Sequence, residues 1–480
     1  MSAAPRLLPA ALALLLTLPG TARAGVRPAY GGEIRVQLPA PPRIADPAQA
    51  VDPADVLLVR AVHATPLTID EAGHLAPGLL EEVPVAAAGG RAFRLRLRAG
   101  LRFADGSPLA APDLAASLTR LLSRDAPNAW VALPVLGADA FLAGRAATLA
   151  GVQVLSDREL LVTLAFPLPE WPYALATPAA SVISPRGGGA GPFQLQSLDA
   201  AGARLLPNPL HWRGRPFADR LTLSGAEARA SARALSRGEV DLVLRPEAAS
   251  PLATPTPALL ATVAAVNGRR LGAGAEPVRR LLDSLDRAEL GQRFARGPSA
   301  PLACLVPQAL LPPPGPAEAA GAPGAAPARL VLLASSAAPD QRAVAERIQV
   351  RLFDAGVRAA LELEEPARFA ARLAAEDYDV ALVPVPVQPL APALAAGQVV
   401  LAVRGSDAAR RAMAALSGPG GLEPAAAGEQ ARALGRALDL WPLFATGARA
   451  STGPALEGLR VGVDGGIDPG DLWRRRGEAQ

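Results

Sequence analysis

Arg91-Ala-Phe-Arg-Leu-Arg-Leu-Arg-Ala-Gly-Leu-Arg-Phe-Ala-Asp-Gly-Ser-Pro-Leu-Ala-Ala-Pro-Asp113 carries the clearest local signal in the chain. Phe93, Leu95 and Leu97 alternate with Arg94, Arg96 and Arg98, the period of two that a half-buried strand requires. Ala99-Gly100 predicts a turn, Leu101 and Phe103 predict a resumed strand, and Asp105-Gly106 is a second turn dipeptide. Pro112-Asp113 then opens a helix with Leu114, Leu118 and Leu121 on one face. Proline fits a first turn, and a carboxylate there complements the helix dipole.

Working outward, the same period recurs. Ile34, Val36 and Leu38 alternate with Glu33, Arg35 and Gln37 after Gly31-Gly32, and the Pro-rich segment Pro39 to Pro53 follows as a loop. Val152 and Val154 turn at Ser156-Asp157 into Leu160, Val162, Leu164 and Phe166, a second hairpin. A β-rich stretch runs from Phe193 to Leu223. Glu227 to Arg237 reads as a helix ended by Gly238, and Val240 to Leu244 as a short strand.

The second half changes character. Ala328–Leu333, Val357–Leu363 and Tyr378–Val383 are apolar strands separated by helices over Asp340–Leu352 and Pro366–Ala375. A β-α-β-α-β order predicts a parallel sheet with right-handed crossovers. Ligands of such sheets bind beyond the carboxyl ends of the strands, here near Ser335, Glu364 and Val385. Pro251–Ala258 and Leu311–Pro327 are low-complexity segments that read as loops or linkers.

Composition removes several function classes. Of 480 residues 50% are apolar and 19% charged, enough for a core and for about three lobes or subdomains. Every one of the 48 cations is arginine, so no lysine Schiff base and no Walker phosphate loop can form. The net charge is +4 with the signs mixed along the chain, and the only dense basic run is Arg474–Arg476, so no nucleic-acid partner is expected. No GxSxG, HExxH or CxxC pattern occurs, and a non-enzymatic protein is expected. His63, His74 and His211 lack metal-ligand spacing, so neither a metal nor any other cofactor is expected. The single cysteine, Cys304, lies among Leu302, Leu305 and Val306 and reads as a small buried hydrophobe.

The N-terminus reads as an export signal. Arg6 supplies the positive region, Leu7–Leu18 the apolar run, and Ala22-Arg23-Ala24 the small-x-small cleavage pattern. The apolar run is too short to cross a bilayer as a helix. Cleavage near Ala24 removes Arg6 and Arg23, leaving a net charge of +2 and a protein placed in the periplasm.

These blocks, in this order, resemble the family-five extracellular solute-binding proteins of ABC importers, the oligopeptide/dipeptide-binding type. The residues carrying the resemblance are Gly31-Gly-Glu-Ile-Arg-Val36, Gly73-His-Leu-Ala-Pro-Gly-Leu-Leu-Glu-Glu82 and the Phe93–Asp113 stretch. Gly191-Pro-Phe193, Asn208-Pro-Leu-His-Trp-Arg-Gly214, Gly238-Glu-Val-Asp241, Val266-Asn267 and Val278–Arg287 follow in register. The resemblance implies an α/β, two-lobed periplasmic-binding-protein fold with mixed sheets, a β-rich inserted subdomain and a hinge. After a signal peptide at 1–24, lobe I would comprise 25–50, 188–250 and 436–480. The inserted subdomain of lobe I would span 51–187, and lobe II 251–435.

The same resemblance implies a monomer that captures a small solute, peptide-like or otherwise organic, by lobe closure and delivers it to an ABC permease in the membrane. The segment Pro384-Val-Pro-Val-Gln-Pro-Leu-Ala-Pro392 departs from the family, which usually carries a tryptophan and an aspartate there. That departure leaves a second reading open: a degenerate homologue acting as a sensor or interaction module without transport. Five residues are candidates for ligand binding. Asn267 matches the family's asparagine on the segment joining the lobes, or is a turn residue before Gly268. Arg245, just past a strand end, could pair with a carboxylate, or is solvated surface. Arg43 lies in the loop after the first strand, Arg404 follows the apolar run Val399–Val403, and Trp212 is either a stacking platform or core packing.

Overall fold

The computed structural model describes residues 27–123, 126–307, 329–337, 339–388 and 391–475. The export signal, Leu311–Pro327 and Arg476 lie outside the described residues. Two large mixed sheets organise the rest. The first has seven strands, in the order Thr254–Pro255, Arg449–Thr452, Leu242–Arg245, Glu33–Leu38, Arg220–Gly225, Gly202–Pro207 and Phe193–Asp199. Glu33–Leu38 runs parallel to both neighbours, Val36 lying opposite Leu242 on one side and Leu223 on the other. Its alternation places Ile34, Val36 and Leu38 in a core with Leu57, Leu58, Phe193 and Leu221.

The second sheet has six strands, in the order Ser299–Pro301, Leu440–Thr446, Leu260–Val266, Val380–Pro386, Arg329–Ser335 and Arg358–Glu364. Arg329–Ser335 is parallel to both flanking strands, with helices Pro339–Asp354 and Pro366–Ala374 as crossovers. This is the β-α-β-α-β unit expected from the sequence. Val344, Ile348 and Leu352 share one buried stripe, against Leu332, Trp441 and Phe444.

Among the described residues the chain passes between the two sheets at 255–260 and 446–449. The crossings pair with each other: Thr256 N–H donates to the Ala448 carbonyl (2.8 Å), and Ala448 N–H donates to Thr256 Oγ1 (2.8 Å). A Cβ on Gly447 would stand 2.6 Å from the Thr256 carbonyl oxygen and 2.7 Å from that of Pro257. Glycine is what lets the two crossing segments approach so closely.

One expectation is corrected here. Ala92–Arg96 pairs with Glu159–Thr163, which in turn pairs with Val152–Ser156, in a three-stranded sheet. Leu101 and Phe103 do not resume a strand beside Phe93–Leu97. The Asp105-Gly106 turn folds 101–109 onto itself, leaving one isolated bridge between Arg102 and Pro108. Phe103 is still fully buried, so the alternation correctly reported burial but not the pairing partner. The helix runs Ala111–Arg120, with Asp113 accepting the Ala110 N–H (2.8 Å). Helix Pro53–Val62 had no counterpart in the sequence reading. Among the described residues no helix is long and apolar enough to cross a membrane.

Candidate functional site

Two places could take a ligand, and the structure treats them oppositely. The first lies beyond the carboxyl end of strand Val380–Pro386. It is filled. Val385, Val387, Leu394, Val399 and Val400 belong to one continuous apolar cluster with Trp130, Val131, Leu160 and Trp171 of the β-rich part. The long helix Pro392–Ala415 packs on the short turn Ala129–Val131 and kinks at Gly405. Its Gln398 side chain accepts from the Gln388 N–H (2.6 Å) inside this seam.

The second place is a cavity of about 800 Å³. Five segments wall it, one of them contributing Ala176, Ser181 and Pro192. Helix Pro53–Val62 contributes Arg60 near its end, followed by His63. The Leu67–Ile69/Leu75–Pro77 hairpin contributes Thr68, Asp70 and Glu71. The Asn208–Gly214 block contributes His211, Trp212 and Arg213, and the C-terminal segment contributes Arg460, Asp464, Asp468 and Asp471.

Local chemistry explains each placement. Asn208 is fully buried, donates from Nδ2 to the Gly191 carbonyl (2.8 Å) and accepts the Leu210 N–H (2.9 Å), which fixes the turn presenting the next three residues. The Arg98 guanidinium lies over the Trp212 ring, 4.8 Å from its centre. Arg213 reaches Asp468 (2.6 Å) and Asp471 (2.8 Å) with its two terminal nitrogens. Arg60 reaches Asp464 (2.5 Å), and Gly466 makes room for it, since a Cβ there would meet the guanidinium at 2.5 Å. Arg460 reaches Glu71 (2.7 Å).

Burial shapes the titration of these groups. His63 donates from Nε2 to the Ala45 carbonyl (2.9 Å), and burial lowers its pKa to about 4, leaving it neutral at pH 7. Burial also lowers His211, whose Nδ1 meets the Ala190 carbonyl at 2.9 Å. Burial and the nearby Asp468 charge push the Asp471 carboxyl up, in spite of Arg213. Burial alone would raise Asp464 as well, but Arg60 and the Gly466 N–H hold it below the usual carboxylate range. Among the described residues no cluster of three or more His, Cys, Asp or Glu could hold a metal ion.

Of the five residues singled out in the sequence, Trp212 alone borders the cavity. Asn267 caps the turn that follows it: its side chain accepts the Arg270 N–H (3.2 Å) and donates to the Glu376 carbonyl (2.8 Å). Arg404 donates to the Val266 and Leu438 carbonyls (2.9 and 3.0 Å) and to the Tyr378 hydroxyl (2.8 Å). Asn267 and Arg404 thus come together, but at the Val266/Val380 end of the sheet, opposite the strand ends near Val385. Arg245 is 7% exposed and bonded to Ser231 Oγ (3.0 Å), the Ala226 carbonyl (3.1 Å) and Glu247 (3.3 Å). Arg43 is exposed, its backbone N–H held by Asp55 (2.6 Å). The sequence reading missed Arg60, Arg213 and the C-terminal acids. The signal available was Asp464-Gly-Gly and Asp468-Pro-Gly-Asp471, carboxylates set in glycine-rich turns.

Residues 74–264 match the family model of the bacterial extracellular solute-binding proteins, family 5 Middle. That segment is similar to the middle part of those proteins. No curated protein matches. Solved structures extend the likeness in fold beyond that segment. The Escherichia coli murein tripeptide binding protein MppA is 19% identical, with a TM-score of 0.75 over 93% of this chain and 99% of its own. Haemophilus influenzae OppA, in complex with the peptide RPPGFSPFR, is 17% identical, with a TM-score of 0.75 over 93% and 100%. The unliganded open form of MppA gives 0.62 at 18% identity, over 93% and 98%. The fold here is therefore less similar to that open form than to the other two structures.

Proposed function

We propose that this protein is the substrate-binding component of an ABC importer, capturing a peptide-like or other small organic solute outside the cytoplasmic membrane. The observation carrying this reading is a cavity of about 800 Å³ in a family 5 fold, within the roughly 300–1,000 Å³ typical of small-molecule sites. MppA and OppA, which the fold matches, are described as binding a murein tripeptide and a nonapeptide respectively. Trp212 is the proposed ligand platform. Asn267, Arg245 and Arg404 hold the scaffold through the bonds described above, and Arg43 lies on the surface.

In this reading, lobe I comprises 25–50, 188–250 and 436–480, the inserted subdomain 51–187 and lobe II 251–435. The two crossings near Thr256 and Gly447 are the hinge. The residues bordering the cavity all fall in 51–187, 188–250 and 436–480, so its occupant touches lobe I and the inserted subdomain, and lobe closure would act on a ligand that also reaches 251–435. The protein acts as a monomer in the periplasm after loss of its signal near Ala24, hands its solute to a membrane permease, and performs no catalysis.

Binding raises thermal stability by mass action, by about 2.7 kcal/mol at a ligand concentration a hundred times Kd. Thermal shift across di- to pentapeptides, sugars and amines tests the reading. A positive melting shift for one chemical class is expected, and a flat response across the whole panel would overturn it. The mass of the exported protein tests cleavage after Ala24.

A further inference from the structure

The first half of helix Pro392–Ala415 is apolar nearly all round. Leu394, Ala395, Ala396, Val399 and Val400 are each 2% exposed or less. A helix on a protein surface keeps a polar stripe, whereas one that is apolar on every side is enclosed by other elements. Two bodies enclose this one. Its apolar cluster is continuous with Val383 and Val385 of the six-stranded sheet and with Trp130 and Val131 of the β-rich part.

A sharp reversal sets the half-helix in that position. Gly405 takes φ 77° and ψ −178°, outside the helical region. In a straight helix Gly397 and Met413 would stand about 24 Å apart. Here a Cβ on Gly397 would lie 2.6 Å from Met413 Cγ. Residues 392–404 therefore fold back on 406–415, a turn that glycine takes without steric cost. Two bonds tie the half-helix to the six-stranded sheet. The Gln398 side chain accepts the Gln388 N–H (2.6 Å), just past strand Val380–Pro386, and Arg404 donates to the Val266 carbonyl (2.9 Å). Its other side meets the turn Ala129–Val131. A second point of approach lies farther along the chain. A Cβ on Gly421 would stand 3.0 Å from Glu170 Oε1, and one on Gly90 3.5 Å from the Pro419 carbonyl oxygen.

We infer that residues 392–404 are a built-in latch, filling the space beyond the carboxyl end of strand Val380–Pro386 and holding lobe II against the inserted subdomain with no solute present. Parting the two would bring buried apolar side chains into water, which the hydrophobic effect opposes. The closed arrangement is then a property of the chain itself. A solute in the cavity beside Trp212 touches lobe I and the inserted subdomain, and it fills that site without moving lobe II. The latch goes beyond the solute-binding reading and does not depend on it.

Small-angle X-ray scattering of the exported chain tests this, after refolding from guanidinium chloride to strip any co-purified solute. The solute-free radius of gyration should equal that calculated from the structure. Val400→Asp puts a charge into the seam, and Gly405→Val disfavours the reversal at a position where a Cβ meets open space. Each should shift the radius upward while keeping the far-UV circular dichroism of a folded chain. Melting curves identify a variant that fails to fold, and the other then carries the comparison. A solute-free wild type more expanded than the structure would overturn the latch by itself, with no variant needed. An unchanged radius in every variant that folds would overturn it too. Either result leaves solute binding, which thermal shift reads, untouched.

Discussion

Acidification should destabilise this protein through one side chain on the cavity wall. His63 follows helix Pro53–Val62, is 4% exposed and donates to the Ala45 carbonyl. Burial is the main reason its pKa falls from 6.5 to about 4, with the Arg120 charge adding to the fall; the Ala45 and Val182 carbonyls and Asp46 oppose it. The folded state thus binds the proton less readily than the unfolded chain. His63 has no effect on relative stability above about pH 7. Between 6.5 and 4 the unfolded chain takes up a proton that the folded protein refuses, and stability falls throughout that window. A difference of about 2.5 pKa units corresponds to about 3 kcal/mol once both states are protonated. Urea unfolding of the wild type and His63→Gln, at intervals from pH 7.5 to 4, isolates the effect. Other titrating groups, His211 included, contribute to both proteins and cancel. Glutamine can still donate to Ala45, so the variant should stay folded at pH 7.5 and should lose about 3 kcal/mol less on acidification. Parallel pH profiles for the two proteins would refute the reasoning.

Three further outcomes are expected. Trp212→Ala should weaken any solute the cavity takes by about tenfold in titration calorimetry, whereas Asn267→Ala should lower the melting temperature through loss of a cap worth about 1 kcal/mol and leave affinity unchanged. Val400→Asp places a charge at a fully buried position of the seam between helix Pro392–Ala415 and the β-rich part. It should cost about 3 kcal/mol or more and increase the radius of gyration by X-ray scattering as the seam opens. Gly447→Ala drives a Cβ into two carbonyl oxygens of the opposite hinge strand and should cost about 1–3 kcal/mol, read from the urea midpoint.

Much of the fold was legible because its signals are local. The period of two in Glu33–Leu38 and Phe93–Leu97 reports which side chains turn inward, and all of Ile34, Val36, Leu38, Phe93, Leu95 and Leu97 are buried. The strand-helix order after residue 328 forces parallel pairing, because consecutive parallel strands need a crossover. Pairing partners are a different matter. Phe93–Leu97 could have paired with 101–103 or with 159–163 on pattern alone, and the tight 102–108 turn decided it.

The site was less legible for a related reason. Arg60 and Asp464 are 404 residues apart, and Arg213 lies more than 250 residues before Asp468 and Asp471. No spacing rule joins such residues. Candidates chosen by their position after strands, such as Asn267 and Arg404, were drawn into backbone carbonyls and amides that needed partners. The departure at Pro384–Pro392 was visible in sequence. Its consequence, an apolar seam beyond that strand end, was not.

The sequence by itself determined which faces are apolar, where the α/β unit lies, and the class of chemistry this chain lacks, since hydrophobic period, turn residues and the absence of lysine are properties of neighbouring residues or of composition. Only the tertiary structure decided where empty space remains and what charge borders it. A cavity is a relation between segments that meet after folding, and its field sums charges that the chain keeps hundreds of residues apart.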